Sequence, residues 1–378
     1  MKWNWKIGKL AGIDLYIHAT FLLLLGWVAL SHWSASKSLT AVVAGVVFIL
    51  ALFACVLLHE LGHALAARRF GIATKDITLL PIGGLARLER MPEKPSEELW
   101  VALAGPAVNV VIAAALYIWL TLMQGPVALS QMGMASGTFL ERILFANVWL
   151  VVFNLIPAFP MDGGRVLRAL LATRMEYLKA TQIAAGLGQG LAFMFGFIGL
   201  FTNPFLVFIA LFVWIGAAQE ASAVQMKSAF ADTPVRTAML TDFQVLRPSD
   251  TLADAVKLIL QGSQQDFPVV EQSAVVGVLT RADLLVALAN HRQAHPIESI
   301  MRRDFMTADP AEMLDLVFQR LAECECHTLP VLQNGRLQGL LTMDNLGEYL
   351  LIQAAIKENG TKAKLGKKAL GYSAGGKF

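Results

Sequence analysis

Residues 40–69 read TAVVAGVVFILALFACVLLHELGHALAARR. The first two-thirds of this run is apolar, and the whole is long enough for the roughly 20 residues that a bilayer-crossing helix needs. Three polar side chains then interrupt it, His59, Glu60 and His63, before Arg68 and Arg69 close it. The pattern is H-E-x-x-H. Two histidines at i and i+4 share one helical face, so both can ligate one ion. Glu60 is rotated about a quarter turn away. That places it near the ion without obliging it to bind, as suits a general base acting on a water that the metal activates. A chance match would leave three polar groups in lipid at a few kcal/mol each. If Arg68 and Arg69 mark the interface, His59 lies roughly 13 Å inside at 1.5 Å per residue.

Outward from this run the chain divides. The 378 residues are 56% hydrophobic and 16% charged, against roughly 25% charged in an ordinary soluble domain. The apolar excess falls almost entirely before Ala223. A net charge of +3 gives no argument for nucleic acid, and three cysteines exclude a disulfide scaffold. Six segments qualify as spans, near 15–34, 40–67, 98–123, 139–158, 181–201 and 204–224. The polar lead-in to the first, with no small-x-small site after Leu30, favours an anchor over a cleaved leader. Positive residues gather in alternate loops: Lys2, Lys6 and Lys9; Arg68 to Lys94; Arg165 to Lys179; and Lys227. By the positive-inside rule both termini are then cytoplasmic. The expected fold is a polytopic α-helical membrane domain over 1–225, followed by a soluble C-terminal part.

Catalytic zinc usually takes three protein ligands, so another span must supply the third. Asp162 is the candidate, in the stretch from Asn154 through Pro157, Pro160, Asp162, Gly163 and Gly164 to Arg165. The prolines break helical hydrogen bonding and the glycines permit unusual backbone angles. A carboxylate on such an unwound segment can reach a metal.

H-E-L-G-H in an early span and N-x-x-P-x-x-P-x-D-G in a later one resemble the site-2 protease family of intramembrane zinc metalloproteases. Gly83-Gly84 and Gly105-Pro106-Ala-Val-Asn109 add to the match, which covers about residues 10–223. Phe159 stands where members often carry proline. The resemblance implies that His59, His63 and Asp162 hold one Zn2+, that Glu60 is the general acid/base, and that Asn154 assists at the site. It also implies cleavage of a transmembrane helix of another protein. Between Gly71 and Glu89, β-branched residues and glycines suggest a short membrane-associated hairpin or sheet. Its exposed edge, read as Ile77 to Leu80, offers strand addition to an extended substrate.

Residues 228–350 contain a repeat. Met239 and Met301 stand 62 residues apart, as do Thr280 and Thr342. Each copy reads strand, helix, strand, strand, helix. The pair resembles tandem CBS domains, over 228–290 and 295–352, ahead of a basic tail at 353–378. The resemblance implies an adenine nucleotide (ATP, ADP or AMP) between the copies and a homodimer through them. Thr280 and Asp283 match the T-x-x-D signature, whereas Thr342 is followed by Asn345. Cys324-Glu-Cys326-His327 has no partner pair for a zinc finger and reads as a helix-to-strand turn. A transporter or channel regulated by the CBS pair is the competing class, as is an inactive metal-binding receptor. The spans show no internal repeat of the kind transporters carry.

Overall fold

The computed structural model describes residues 3–90, 92, 94–125, 133, 137–290, 295–324, 328–353 and 355–356. The reading of residues 325–327 and of the tail beyond 357 falls outside these. The chain separates into two compact units, Met1–Val224 and Gln225–Phe378.

The first unit opens on a hairpin, β1 (Asn4–Leu10) and β2 (Ile13–His18). The sequence reading began the first span at residue 15; β2 instead carries the chain to His18, and α1 runs Ala19–Ser36. His18 is the reason for the switch. Its ring accepts a hydrogen bond from the Thr20 N–H and so caps the helix. The polar histidine read as interfacial is a capping residue.

Helix α2 (Leu39–Arg69) follows, then β3 (Thr74–Leu80), β4 (Gly83–Leu88) and α3 (Pro95–Gln124). The strands form one four-stranded sheet in the order β1-β2-β3-β4, with β2 and β3 parallel. This sheet adds β1 and β2 to the short hairpin or sheet expected from residues 71–89, and it corrects the edge assignment. Ile77 to Leu80 lie in an interior strand, with Ile77 to Leu79 partnered on both sides; the edge strands are β1 and β4. Asp76 of β3 holds Arg87 of β4 through two hydrogen bonds across the sheet. Ile13, Leu15 and Ile77 pack on Leu57, Leu61 and Ala64 of α2. These α2 positions form an i, i+4, i+7 stripe on the side of the helix away from the His59/His63 face, with Glu60 between the two, so the sheet lies on the Glu60 side of H-E-x-x-H.

Helix α4 (Phe139–Asn154) opens on a capping box between Thr138 and Glu141. A non-helical segment, 155–161, leads to the short amphipathic α5 (Asp162–Ala172), then α6 (Tyr177–Phe201) and α7 (Pro204–Phe230). Among the described residues five helices, α1, α2, α3, α6 and α7, are long and apolar enough to cross a membrane. The fourth expected span differs, because α4 has 16 residues where 139–158 were read as helix.

Helix α5 is tied into the unit by a fully buried guanidinium. Arg168 reaches Glu98 of α3 and Glu220 of α7, at 2.7 Å and 2.6 Å, and lies 4.9 Å from the Phe159 and Tyr177 ring centroids. Removing one partner of a buried pair strands the other charge, at about 3–5 kcal/mol.

In the second unit α8 (Leu252–Gln261), β5 (Phe267–Glu271), β6 (Ala274–Leu279) and α9 (Arg281–Ala289) form one copy. The other has α10 (Leu314–Glu323), β7 (Thr328–Gln333), β8 (Arg336–Thr342) and a helix over 343–353. The leading strand expected in each copy is reduced to a single parallel bridge, Leu246 to Val269 and Ala308 to Val331. The copies exchange their leading segments. Phe230 and Val235 lie in the core of the second copy, and Ile297 and Met301 in that of the first.

Arg168→Met is expected to lower the stability of the first unit by about 3–5 kcal/mol. Adding Glu98→Met should restore part of it, because the buried Glu98 carboxylate is then no longer stranded and only the partly exposed Glu220 has lost its partner. Thermal unfolding in detergent tests the order: wild type above the double variant, the double variant above the single.

Candidate metal centre

His59 and His63 project from one face of α2, and Asp162 is the first residue of α5. All three are buried, at 6%, 5% and 7% exposure. The Asp162 Oδ2 lies 3.1 Å from the Nε2 of each histidine, and the two Nε2 atoms are 3.1 Å apart. Each imidazole is oriented through its other nitrogen. His59 Nδ1 donates to Asn109 Oδ1 at 2.6 Å, and His63 Nδ1 donates to the Val101 carbonyl at 2.7 Å. With Nδ1 protonated, both Nε2 lone pairs point at one spot, where Asp162 adds a carboxylate oxygen.

The donor set fits a zinc ion. Ligand atoms about 2.0–2.1 Å from a tetrahedral zinc lie about 3.3–3.4 Å apart, and the three atoms here are within a few tenths of that spacing. Without a cation or a bridging proton, three electron-pair donors in an apolar setting repel one another. The second Asp162 oxygen faces the Arg165 guanidinium at 3.9 Å, which orients the carboxylate.

Two backbone features make the convergence possible. Segment 155–161 turns back on the start of α5 through hydrogen bonds from Met161 N to Ala158 O and from Gly164 N to Met161 O. A Cβ at Gly163 would meet the Ile156 carbonyl oxygen at 2.2 Å, so the fold-back needs glycine there. This puts the α4 end, Asn154, beside the start of α5. On α3, Gly105 lies against the ligand-facing edge of the imidazoles: a Cβ there would meet His63 Nε2 at 2.2 Å and His59 Nε2 at 2.7 Å.

Glu60 is half-buried on the neighbouring face of α2. Its side chain runs against the edge strand β4, where a Cβ at Gly84 would meet Glu60 Cγ at 2.5 Å. The double glycine is thus where the sheet edge passes the carboxylate. The sequence reading picked out His59, Glu60, His63, Asp162 and Asn154. It noted Asn109 without giving it a role, and it passed over Val101. Asn109 was visible by the same signal as His59, a fully buried polar side chain in an apolar run. A backbone carbonyl such as that of Val101 leaves no mark in a sequence.

In the second unit Thr280 caps α9 and donates to Asp283 Oδ2 at 2.6 Å. Asp283 is also held by Arg302, at 2.6 Å and 3.1 Å. Burial opposes ionisation of this carboxyl, but the hydrogen bonds from Arg302 and Thr280 outweigh it and hold it below the usual carboxylate range. In the other copy Thr342 donates to Asn345 Oδ1 at 2.5 Å. The position equivalent to Arg302 is Leu240, and both make the same antiparallel bridge, to Val278 and Leu340 respectively. One copy therefore pairs Asp with Arg where the other has Asn and Leu.

Gly105→Ala is expected to displace the His63 ring and lower zinc affinity at least tenfold, with far-UV circular dichroism unchanged. Competition against a chromophoric chelator measures it.

Comparison with known proteins agrees with this geometry. The peptidase family M50 model matches residues 47–144 and 123–197, and the CBS domain model matches 235–290 and 297–351. A zinc metalloprotease of Methanocaldococcus jannaschii is 30% identical over 347 residues, covering 92% of this chain and 96% of that one. A relative in Synechocystis sp. is 29% identical over 373 residues, covering 93% and 97%. Among solved structures, a site-2 protease from Methanocaldococcus jannaschii is 36% identical, covers 58% of this chain and 95% of its own, and superimposes with a TM-score of 0.44. With similarity running along nearly the whole of both chains, and with the His59, His63 and Asp162 cluster in place, this chain belongs to peptidase family M50, the site-2 zinc metalloproteases, and carries a CBS domain pair.

Proposed function

We propose that the protein is a zinc-dependent intramembrane endopeptidase that cuts transmembrane segments of other membrane proteins. The observation that carries this reading is the His59, His63 and Asp162 triangle, buried among helices apolar enough to span a membrane. Zinc in such a site supplies Lewis acidity, which acidifies water and polarises a peptide carbonyl. The chain's own residues do the rest. Glu60 takes the proton of the attacking water and returns it to the leaving amine. Asn154, whose side chain makes no hydrogen bond among the described residues, donates to the developing oxyanion in this reading.

A peptide bond in a helix is shielded by its internal hydrogen bonds, so the substrate must be extended when it is cut. The free edge of β4, passing Glu60 at Gly84, offers a template for that by strand addition. This supports β4, and not Ile77 to Leu80, as the docking edge.

In this reading the membrane part has six spans. Helix α4 is the short one, and the unwound 155–161 segment completes its crossing. Both termini and the CBS pair are cytoplasmic, as the loop charges argue. The CBS pair binds an adenine nucleotide at Thr280 and Asp283, with Thr342 and Asn345 as the weaker counterpart. It also joins two copies of the chain and regulates substrate access. The domains follow as 1–225, 228–290 and 295–352, with the tail at 353–378.

Glu60→Gln is expected to keep zinc and lose cleavage by about 10²–10⁴-fold, the usual worth of general acid–base catalysis. Membrane proteomes from cells carrying wild type and this variant should differ in transmembrane fragments that persist only in the variant. Identical proteomes, with full zinc content in both proteins, would count against proteolysis. Leu85→Lys places a charge on the edge of β4, where lysine blocks strand pairing. It is expected to slow cleavage several-fold while zinc content stays the same.

A further inference from the structure

Asn109 and Asn147 are both wholly buried, on α3 and α4. Neither is a metal ligand, and both lie in segments that are otherwise apolar. Asn109 Nδ2 donates to Asn147 Oδ1 at 2.8 Å. Asn147 Nδ2 donates to the Ile143 carbonyl at 2.9 Å, one turn back in α4, and lies 3.4 Å from the Cys55 sulfur.

We infer that Asn147 is a positioning residue that sets the tautomer of the zinc ligand His59 from two residues away. The reasoning turns on direction. For His59 to bind a cation through Nε2, its proton must sit on Nδ1, so Asn109 must present its oxygen at 2.6 Å. A flipped Asn109 amide presents NH2 instead and forces the proton onto Nε2, which destroys the ligand. Nothing in Asn109 itself prevents the flip, since the two ends of the amide have nearly the same shape. Asn147 prevents it by offering Asn109 an oxygen. Asn147 in turn cannot flip, because the Ile143 carbonyl only accepts and the helix fixes its place. Polarity therefore runs one way, from a backbone carbonyl of α4 through two amides to the metal-facing nitrogen of α2. Both amides are wholly buried from bulk solvent, so a wrong orientation costs the penalty of an unsatisfied buried group.

This inference rests on the metal reading, and two substitutions in the full-length protein in detergent test it. Asn147→Leu keeps the volume and removes the oxygen, which frees Asn109 to turn. Its zinc affinity should fall about 10–100-fold, the range seen when such outer partners are lost. In the metal-free variant, the 15N spectrum of labelled histidine should show His59 as a mixture of tautomers where wild type shows Nδ1–H alone. Asn147→Asp keeps an acceptor toward Asn109 in either ionisation state, so zinc affinity and tautomer should stay near wild type. If Asn147 only packed the core, the order would reverse, because leucine suits apolar surroundings and a buried carboxyl does not. The proposal is overturned if Asn147→Leu binds zinc as tightly as wild type, or more tightly than Asn147→Asp. Should Asn147→Leu fail to fold, Asn147→Ala against Asn147→Asp makes the same comparison. A wild-type protein that binds no zinc removes the metal reading, and this proposal with it.

Discussion

Three electron-pair donors stand 3.1 Å apart with their backs to apolar helices. In low dielectric that arrangement is costly unless a cation or a shared proton bridges the donors. The surrounding structure supplies what makes the convergence geometrically possible. Helix α3 comes close enough to α2 only because Gly105 has no side chain. Asp162 reaches the same point only because 155–161 abandons helical geometry and folds back on Gly163. Non-helical backbone at membrane depth is tolerated where protein or a cavity surrounds it. The buried Ala158 and Phe159, packed against α6 and α7, meet that condition.

Much of this was legible in the residues, for an identifiable reason. A polar side chain in an apolar run is costly, so each such residue signals a local purpose. His59, Glu60, His63 and Asp162 were found that way. Asn109 and Asn147 give the same signal more quietly, as neutral amides, and were missed as parts of the centre. Long apolar runs likewise located the helices that are long enough to cross a membrane. The boundaries were harder. Residues 13–18 alternate in a strand pattern but run directly into apolar α1, and only the His18 cap separates the two. The pairing of β1 and β2 with β3 and β4 joins segments some 60 residues apart, and local periodicity carries no information about such partners.

The repeat in the second unit shows a different limit. Self-similarity at 62 residues revealed two copies, yet each copy completes its core with the other's leading segment. A sequence repeat and a folding unit need not share boundaries when neighbours exchange strands or turns. The same exchange places Arg302, at the start of one copy, on Asp283 of the other. Where the second copy has Asn345 in place of the carboxylate, the matching position is Leu240. Loss of the acid and loss of the arginine go together, as they must if an unpaired buried-edge charge is to be avoided. The two halves are therefore chemically unequal, and a charged ligand would meet a preformed ion pair in one and neutral groups in the other.

Arg168 links the metal centre to the rest of the membrane unit. It sits six residues beyond Asp162, nearly two turns along α5, and engages α3 and α7 at once. Burying a guanidinium and its carboxylate partner is seldom the most stable option; apolar residues of the same volume often do as well or better. Its advantage lies in specificity, because an ion pair with fixed geometry permits one rotation of α5 about its axis where an apolar contact permits several. Asp162 must present Oδ2 to both histidines with sub-ångström accuracy. A helix of 11 residues, joined to α4 by an irregular segment, has its rotation fixed by this pair together with its packing on α3 and α6. The pair with Glu98 also attaches α5 to α3, the helix that carries Gly105 and Asn109. The ligand from α5 and the glycine and hydrogen-bond partner from α3 are thus held in one frame. Movement of α5 relative to α3 would disrupt the metal geometry and the buried ion pair together.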